Sequence, residues 1–312
     1  MLPRPIIEVT NLTKRYKNSD KNAVDGISFS VTPGELFALL GPNGAGKTTT
    51  ISILTTTLLP TSGAALVAGH DVAQNPSAVR QNVGIIFQKP SLDLNLTAEE
   101  NVRFHAILYG LYPFRPTFKT MPQAYREEVD ELATVLGISE DIFSPIKTFS
   151  GGMKRKLEIL RSLLHKPRVL FLDEPTVGLD PASRRNLWQY IRRVRAQSGT
   201  TIFLTTHYLE EAEEADTICI INKGKIVSYG TPNEVKAELI EVYLLVDAAD
   251  REHLRRELTS LHLDFMETSP FRIDLNGQSI HQILKSIDTP LTLVKTHTPT
   301  LEDAYLAIVE NS

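Results

Sequence analysis

Three short stretches of this chain carry residues whose types and order suit chemistry on a phosphoanhydride. Gly41-Pro42-Asn43-Gly44-Ala45-Gly46-Lys47-Thr48 fits the pattern G-x-x-x-x-G-K-[ST]. Its glycines let successive backbone N–H groups turn inward at a helix start, where the dipole favours an anion. Lys47 supplies a point charge for β- and γ-phosphates, the Thr48 hydroxyl suits Mg²⁺, and Thr49 begins the helix-compatible segment that follows. The second stretch, Val169-Leu170-Phe171-Leu172-Asp173-Glu174, is an apolar strand ending in two carboxylates. Asp173 stands where α/β sheets place ligands and suits a Mg²⁺ shell of carboxylate, water and phosphate oxygens. Glu174 is placed to polarise an attacking water as general base. By itself the run is equally a strand stopped by solvated acids. In the third stretch Ser150, Gly151 and Gly152 open a helix and expose N–H groups to another anion, although an ordinary helix cap reads the same way.

These groups need elements to hold them. Ile6–Leu12, Ile27–Val31, Leu36–Leu40, Val83–Phe87, Val169–Leu172, Thr201–Leu204 and Ile218–Ile221 read as strands. Thr49–Leu58, Glu127–Leu136, Met153–Leu164 and Ser183–Arg195 have helical patterning. Alternating strands and helices predict an α/β domain with a largely parallel core. Between Lys47 and Asp173 lies far more chain than one or two βα units of roughly 30 residues each. Its helical patterning predicts an inserted helical subdomain at about residues 89–165.

From about Glu241 the pattern restarts. Val242–Val246, Leu263–Glu267, Arg272–Leu275 and Leu291–Lys295 read as strands. Asp250–Ser260, Ser279–Ser286 and Thr300–Glu310 read as helices. Up to the last strand this is the order β-α-β-β-α-β of a ferredoxin-like unit. The expected domains are therefore 1–238, and a small α+β domain at 239–312.

Composition limits the function classes. A net charge of −4 argues against a surface built to hold nucleic acid. Cys219, the single cysteine, lies in an apolar run and reads as an inert core thiol in a reducing compartment. Met1-Leu2-Pro3-Arg4-Pro5 lacks the apolar stretch of a signal peptide, and no segment offers the roughly 20 apolar residues of a membrane span.

Phe149-Ser150-Gly151-Gly152-Met153, lying between the phosphate loop and the acidic pair, makes the chain resemble an ATP-binding-cassette (ABC) ATPase of the P-loop NTPase class. The family's signature is usually written LSGGQ; here Phe149 and Met153 replace the flanking Leu and Gln. Further matches follow in family order over residues 16–207. The resemblance implies that Tyr16 stacks on adenine and that Gln88 senses Mg²⁺ and a membrane partner. It implies that Asp180, in Gly178-Leu179-Asp180, lies in a loop crossing a dimer seam, and that His207 is a switch contacting the γ-phosphate. It also implies that ATP lies between one copy's phosphate loop and a second copy's Ser150-Gly151-Gly152.

Ser150–Lys156 and the C-terminal segment 299–306 are similar to the bacterial drug- and antibiotic-export subgroup, whose ATPases work with separately encoded transmembrane permease subunits. The expected location is cytoplasmic, peripheral on the inner face of the membrane through the permease. Drug, lipid, glycan and ion cargo all remain open, and no nucleic acid is expected. The competing reading is a soluble cassette ATPase acting on the ribosome or nucleic acid. Residues 112–122, rich in proline and aromatics, predict a stiff loop that either tunes partner choice or is a tolerated insertion.

Overall fold

Burial along the strands decides the architecture. Leu36–Leu40, Val169–Asp173 and Thr201–Thr206 are buried at every position, as strands covered on both faces must be. Ile7–Arg15 instead starts with alternating buried and exposed residues, the pattern of a strand with one wet face. In the computed structural model, which describes residues 4–17, 19–87, 91–206, 208–239, 243–275, 277–297, 300–303 and 305, these two kinds of strand form different sheets.

The larger sheet runs Lys225–Gly230, Thr217–Asn222, Leu36–Leu40, Thr201–Thr206, Val169–Asp173, Val83–Ile86. It is parallel except for its first pair. The smaller sheet is antiparallel, in the order Asn22–Val31, Ile7–Arg15, Ser62–Val67, His70–Asp71. A run of aromatic rings joins them. Phe29 stacks on Phe37 at 5.2 Å, Phe37 on Phe203 at 5.1 Å, and Phe203 lies 5.3 Å from Phe171. Cys219 is buried in the same core.

The predicted helical insertion contains helices Ala98–Leu108, Gln123–Leu136 and Gly151–Leu163. The first is absent from the sequence reading because its inner face is partly charged. Glu99 and Arg103 are both buried and pair at 3.0 Å, one helical turn apart, which breaks the apolar periodicity. Residues 112–122 are mostly irregular, as proline demands, but Phe118–Thr120 makes one 3₁₀ turn. The Arg103 guanidinium donates to the carbonyls of Arg115 and Pro116 at 2.9 and 3.0 Å, and the Tyr112 and Phe118 rings meet Tyr125 edge-on.

The chain divides into two compact units, Met1–Thr231 and Pro232–Ser312, so the helix Pro232–Leu239 is grouped with the second. That unit has a four-stranded antiparallel sheet in the order Phe265–Met266, Phe271–Asp274, Tyr243–Ala248, Leu291–His297. With helices Arg251–Ser260 and Ile280–Ser286 it makes the split β-α-β arrangement. Of the expected helix at 300–310, residues 301–303 are helical with Leu301 buried, and most of the remainder lies outside the described residues. Among the described residues no helix is long and apolar enough to cross a membrane.

Phe203 touches three rings from both sheets. Phe203→Ala should therefore cost about 3–5 kcal/mol of stability, read as a lower urea midpoint for the first unit. A shift below about 1 kcal/mol would show that the ring run is not the seam of the core.

Candidate functional site

The glycine-rich loop 41–46 links the end of Leu36–Leu40 to the helix Lys47–Leu54. Two of its glycines are required by close approach. A Cβ on Gly41 would lie 2.2 Å from the Ile221 carbonyl oxygen, and one on Gly46 (φ +113) 2.4 Å from that of Ala23. The first N–H to bond within this helix is that of Thr50, to the Gly46 carbonyl at 2.9 Å, and no side chain caps the end. The amides of Lys47, Thr48 and Thr49 are therefore presented as a group at the positive end of a helix dipole.

Lys47 is buried, and its Nζ donates to the carbonyls of Gly41 and Pro42 at 2.7 and 3.1 Å. Burial pulls its pKa down from the ordinary lysine value, against the nearby charges of Glu174 and Asp173. Thr48 is exposed in the first turn of the helix. The Tyr16 hydroxyl lies 3.2 Å from Thr49 Oγ1, which fixes the exposed Tyr16 ring beside the loop.

Asp173 and Glu174 follow from the next strand but one. Asp173 is buried, and its Oδ1 accepts from Thr205 Oγ1 at 2.5 Å. Burial pushes its carboxyl above the ordinary aspartate value; the Thr205 hydrogen bond opposes this, Glu174 adds to it, and Lys47 and Arg155 oppose it. Glu174 is half-buried at φ +47, a left-handed backbone that a non-glycine residue seldom adopts. Its N–H donates to the Thr205 carbonyl at 3.0 Å and approaches Thr205 Oγ1 at 3.2 Å. Lys47, Asp173 and Glu174 thus share one charged cluster at the carboxyl ends of the parallel strands.

A second cluster forms at the start of Gly151–Leu163. Ser150 is its N-cap and accepts from the Met153 N–H at 3.2 Å. A Cβ on Gly152 would lie 3.1 Å from Ser183 Oγ, so this helix end is packed against the start of Pro181–Ser198. Asp180 caps that helix, accepting from the Ala182 and Ser183 amides at 3.0 Å and from Ser183 Oγ at 2.5 Å. These bonds hold its carboxyl below the ordinary aspartate value, led by the Ser183 hydroxyl. Gln88 and His207 lie outside the described residues.

Sequence reasoning missed two participants. Thr205 faces Asp173 across the sheet register and serves both acids. Arg155 is buried, with its side chain directed at three backbone carbonyls in two other segments. Its place in the basic run Lys154-Arg155-Lys156 suggests a solvated residue, and only burial distinguishes it.

The donor set fits a triphosphate with a divalent cation. Three helix-end amides and one ammonium suit phosphate oxygens, while Asp173 Oδ2 and the Thr48 hydroxyl are hard oxygen ligands. Among the described residues no group of three or more His, Cys, Asp or Glu could hold a metal, so a cation here would need oxygens from the phosphate as well.

A family model described as ABC transporter matches residues 24–177. A probable multidrug ABC transporter ATP-binding protein of Escherichia coli is 40% identical over 233 residues, 75% of this chain; the chain spans only 38% of that relative's length. The daunorubicin/doxorubicin resistance ATP-binding protein of Streptomyces peucetius is 37% identical over 318 residues, covering 98% of this chain and 93% of that protein. A solved ATP-binding subunit of an ABC transporter superposes with a TM-score of 0.65 at 30% identity, covering 75% of this chain and 92% of that one.

The raised pKa of Asp173 gives a pH prediction. Its folded pKa lies above the unfolded one, so its ionisation costs stability as pH rises through that interval. Asp173→Asn should raise the urea midpoint at neutral pH, and the advantage should fade below the ordinary aspartate range, where the wild-type carboxyl is itself protonated. A lower midpoint for Asp173→Asn at neutral pH would contradict this account.

Proposed function

The chain belongs to the ABC transporter family, and from that premise we propose that it is the ATP-hydrolysing subunit of an exporter, acting as a head-to-tail pair with a second copy of itself. The observation that carries the reading is the presence in one unit of two anion-facing helix ends on different elements. One holds Lys47 beside Asp173 and Glu174, and the other holds Ser150-Gly151-Gly152 beside Asp180. A triphosphate carries several negative charges, and one concave loop leaves an open side. The second helix end of a neighbouring copy closes it.

In this reading Gly41, Pro42, Asn43, Gly44, Ala45 and Gly46 shape the cradle, and the amides of Lys47, Thr48 and Thr49 face the phosphates. Lys47 neutralises charge between the β- and γ-phosphates. Tyr16 stacks on the adenine with its hydroxyl held by Thr49; such stacking is worth roughly 1–3 kcal/mol per base. Asp173, Thr48 and Gln88 would hold Mg²⁺, which would neutralise phosphate charge. Glu174 orients and deprotonates the attacking water, and His207 contacts the γ-phosphate. Ser150, Gly151 and Gly152 close over the second copy's γ-phosphate, with Asp180 in the seam.

Because ATP binds best to the closed pair, it favours closure by mass action, and loss of the γ-phosphate contacts reopens it. Separately encoded permease subunits would convert that cycle into transport and hold the chain at the inner face of the membrane. Relatives named for multidrug transport and daunorubicin/doxorubicin resistance support drug-like or antibiotic cargo; lipids and glycans are further cargo classes the permease could select. Action on the ribosome or nucleic acid is not favoured by these relatives or by the net charge of −4.

Glu174→Gln should leave ATP binding intact, slow turnover by about 10²–10⁴-fold and accumulate an ATP-bound pair on size exclusion. Normal turnover in that variant would remove Glu174 as the base. Lys47→Ala should weaken binding of a fluorescent ATP analogue by about tenfold or more, which is about 1.4 kcal/mol. Unchanged affinity would place the phosphates elsewhere.

A further inference from the structure

Arg155 lies in the helix that Ser150 caps, yet its side chain works outside that helix. It is 6% exposed. Its Nε donates to the Pro175 carbonyl at 2.9 Å, its Nη1 to the Phe87 carbonyl at 2.5 Å, and its Nη2 to the Asp173 carbonyl at 3.5 Å. Charge balance does not require this reach. Glu158, one turn along the same helix and equally buried, already pairs with Nη1 at 3.1 Å. Nε and Nη2 reach backbone carbonyls instead.

The backbone they grip is the segment on both sides of Glu174. Residues held in the left-handed region persist where their surroundings over-determine them. At Glu174, φ +47, the N–H side is fixed by Thr205 and the flanking carbonyls of Asp173 and Pro175 are fixed by Arg155. A planar fork of five N–H groups can serve several carbonyls at once, which the compact ammonium of lysine cannot reproduce. The Phe87 carbonyl, just past strand Val83–Ile86, adds a third anchor.

We propose that Arg155 is a positioning residue for Glu174, a strut that ties the backbone around the base to the helix beginning at Ser150. The inference rests on the reading above, in which Glu174 is the base and Ser150-Gly151-Gly152 meets the ATP of a second copy. The strut then joins the two ATP sites of the pair within one chain. Seating of the Ser150 helix on the neighbour's ATP is transmitted through a guanidinium to the base that acts on this copy's own ATP. Neither site has to touch the other for this coupling, because the guanidinium bonds the carbonyls on either side of the base from the helix that Ser150 caps.

The test is steady-state ATPase measurement on the full-length chain for wild type, Arg155→Lys, Arg155→Gln and the paired Arg155→Met/Glu158→Leu, which leaves neither member of that ion pair charged. Turnover should fall from Arg to Lys to Gln, reaching about 10²-fold, as expected for a small misplacement of a catalytic group. The KM and the affinity for a fluorescent ATP analogue should stay within about threefold, the signature of an effect on the chemical step alone. In a Glu174→Gln background, Arg155→Lys should still form the ATP-dependent pair on size exclusion. Unchanged kcat in the paired variant overturns the proposal. So does a parallel loss of kcat, nucleotide affinity and unfolding midpoint in both the Lys and the paired variants, which would mark a brace of the fold and nothing more. A wild-type chain that binds ATP yet neither hydrolyses it nor pairs removes the parent reading, and this one with it.

Discussion

Charge buried at the carboxyl ends of a parallel sheet is the constraint on which the rest of this structure turns. Lys47 and Asp173 are both withdrawn from water, which opposes the ionisation of each, and each partly restores the other. Such a cluster survives only if every remaining donor and acceptor is met at short range. Loop carbonyls meet the ammonium and Thr205 meets the carboxylate.

That requirement explains the sheet. Leu36–Leu40, Thr201–Thr206 and Val169–Asp173 lie side by side and parallel, so their C-terminal ends emerge together. The first feeds the glycine-rich loop, the second supplies Thr205, and the third supplies Asp173 and then Glu174. Aromatic rings under these strands, from Phe29 through Phe37 and Phe203 to Phe171, set the platform on which those ends are fixed. The close packing at Gly41 and Gly46, where a side chain would strike the Ile221 or Ala23 backbone, seats the loop on the same platform.

The helical insertion has a different logic. It carries its own buried ion pairs, Glu99–Arg103 and Arg155–Glu158, in place of a purely apolar interior. Buried pairs add little net stability but are geometrically exacting. Arg103 holds the irregular segment at 112–122 through two carbonyls, and Arg155 holds the segment around Glu174 through two more. In both places a guanidinium fixes chain that has no regular ladder of its own.

The glycine-rich turn before the helix at Lys47, the strand ending in paired acids and the Ser150 cap were legible in the sequence because each is a local device. Their residue types act through backbone within a few positions, and the flanking apolar runs name the strands. The β-α-β-β-α-β order of the C-terminal unit was legible for the same reason. The helix Ala98–Leu108 was not, because paired charges on its buried face imitate a polar surface. Tertiary structure alone decided that the strands at 7–15 and 22–31 form a separate antiparallel sheet. It alone brought Thr205 to Asp173 across 32 residues and Arg155 to Phe87 across 68. Periodicity reports which way a side chain faces along its own element; it carries no information about which distant carbonyl that side chain will meet, since sheet order and helix packing choose that partner.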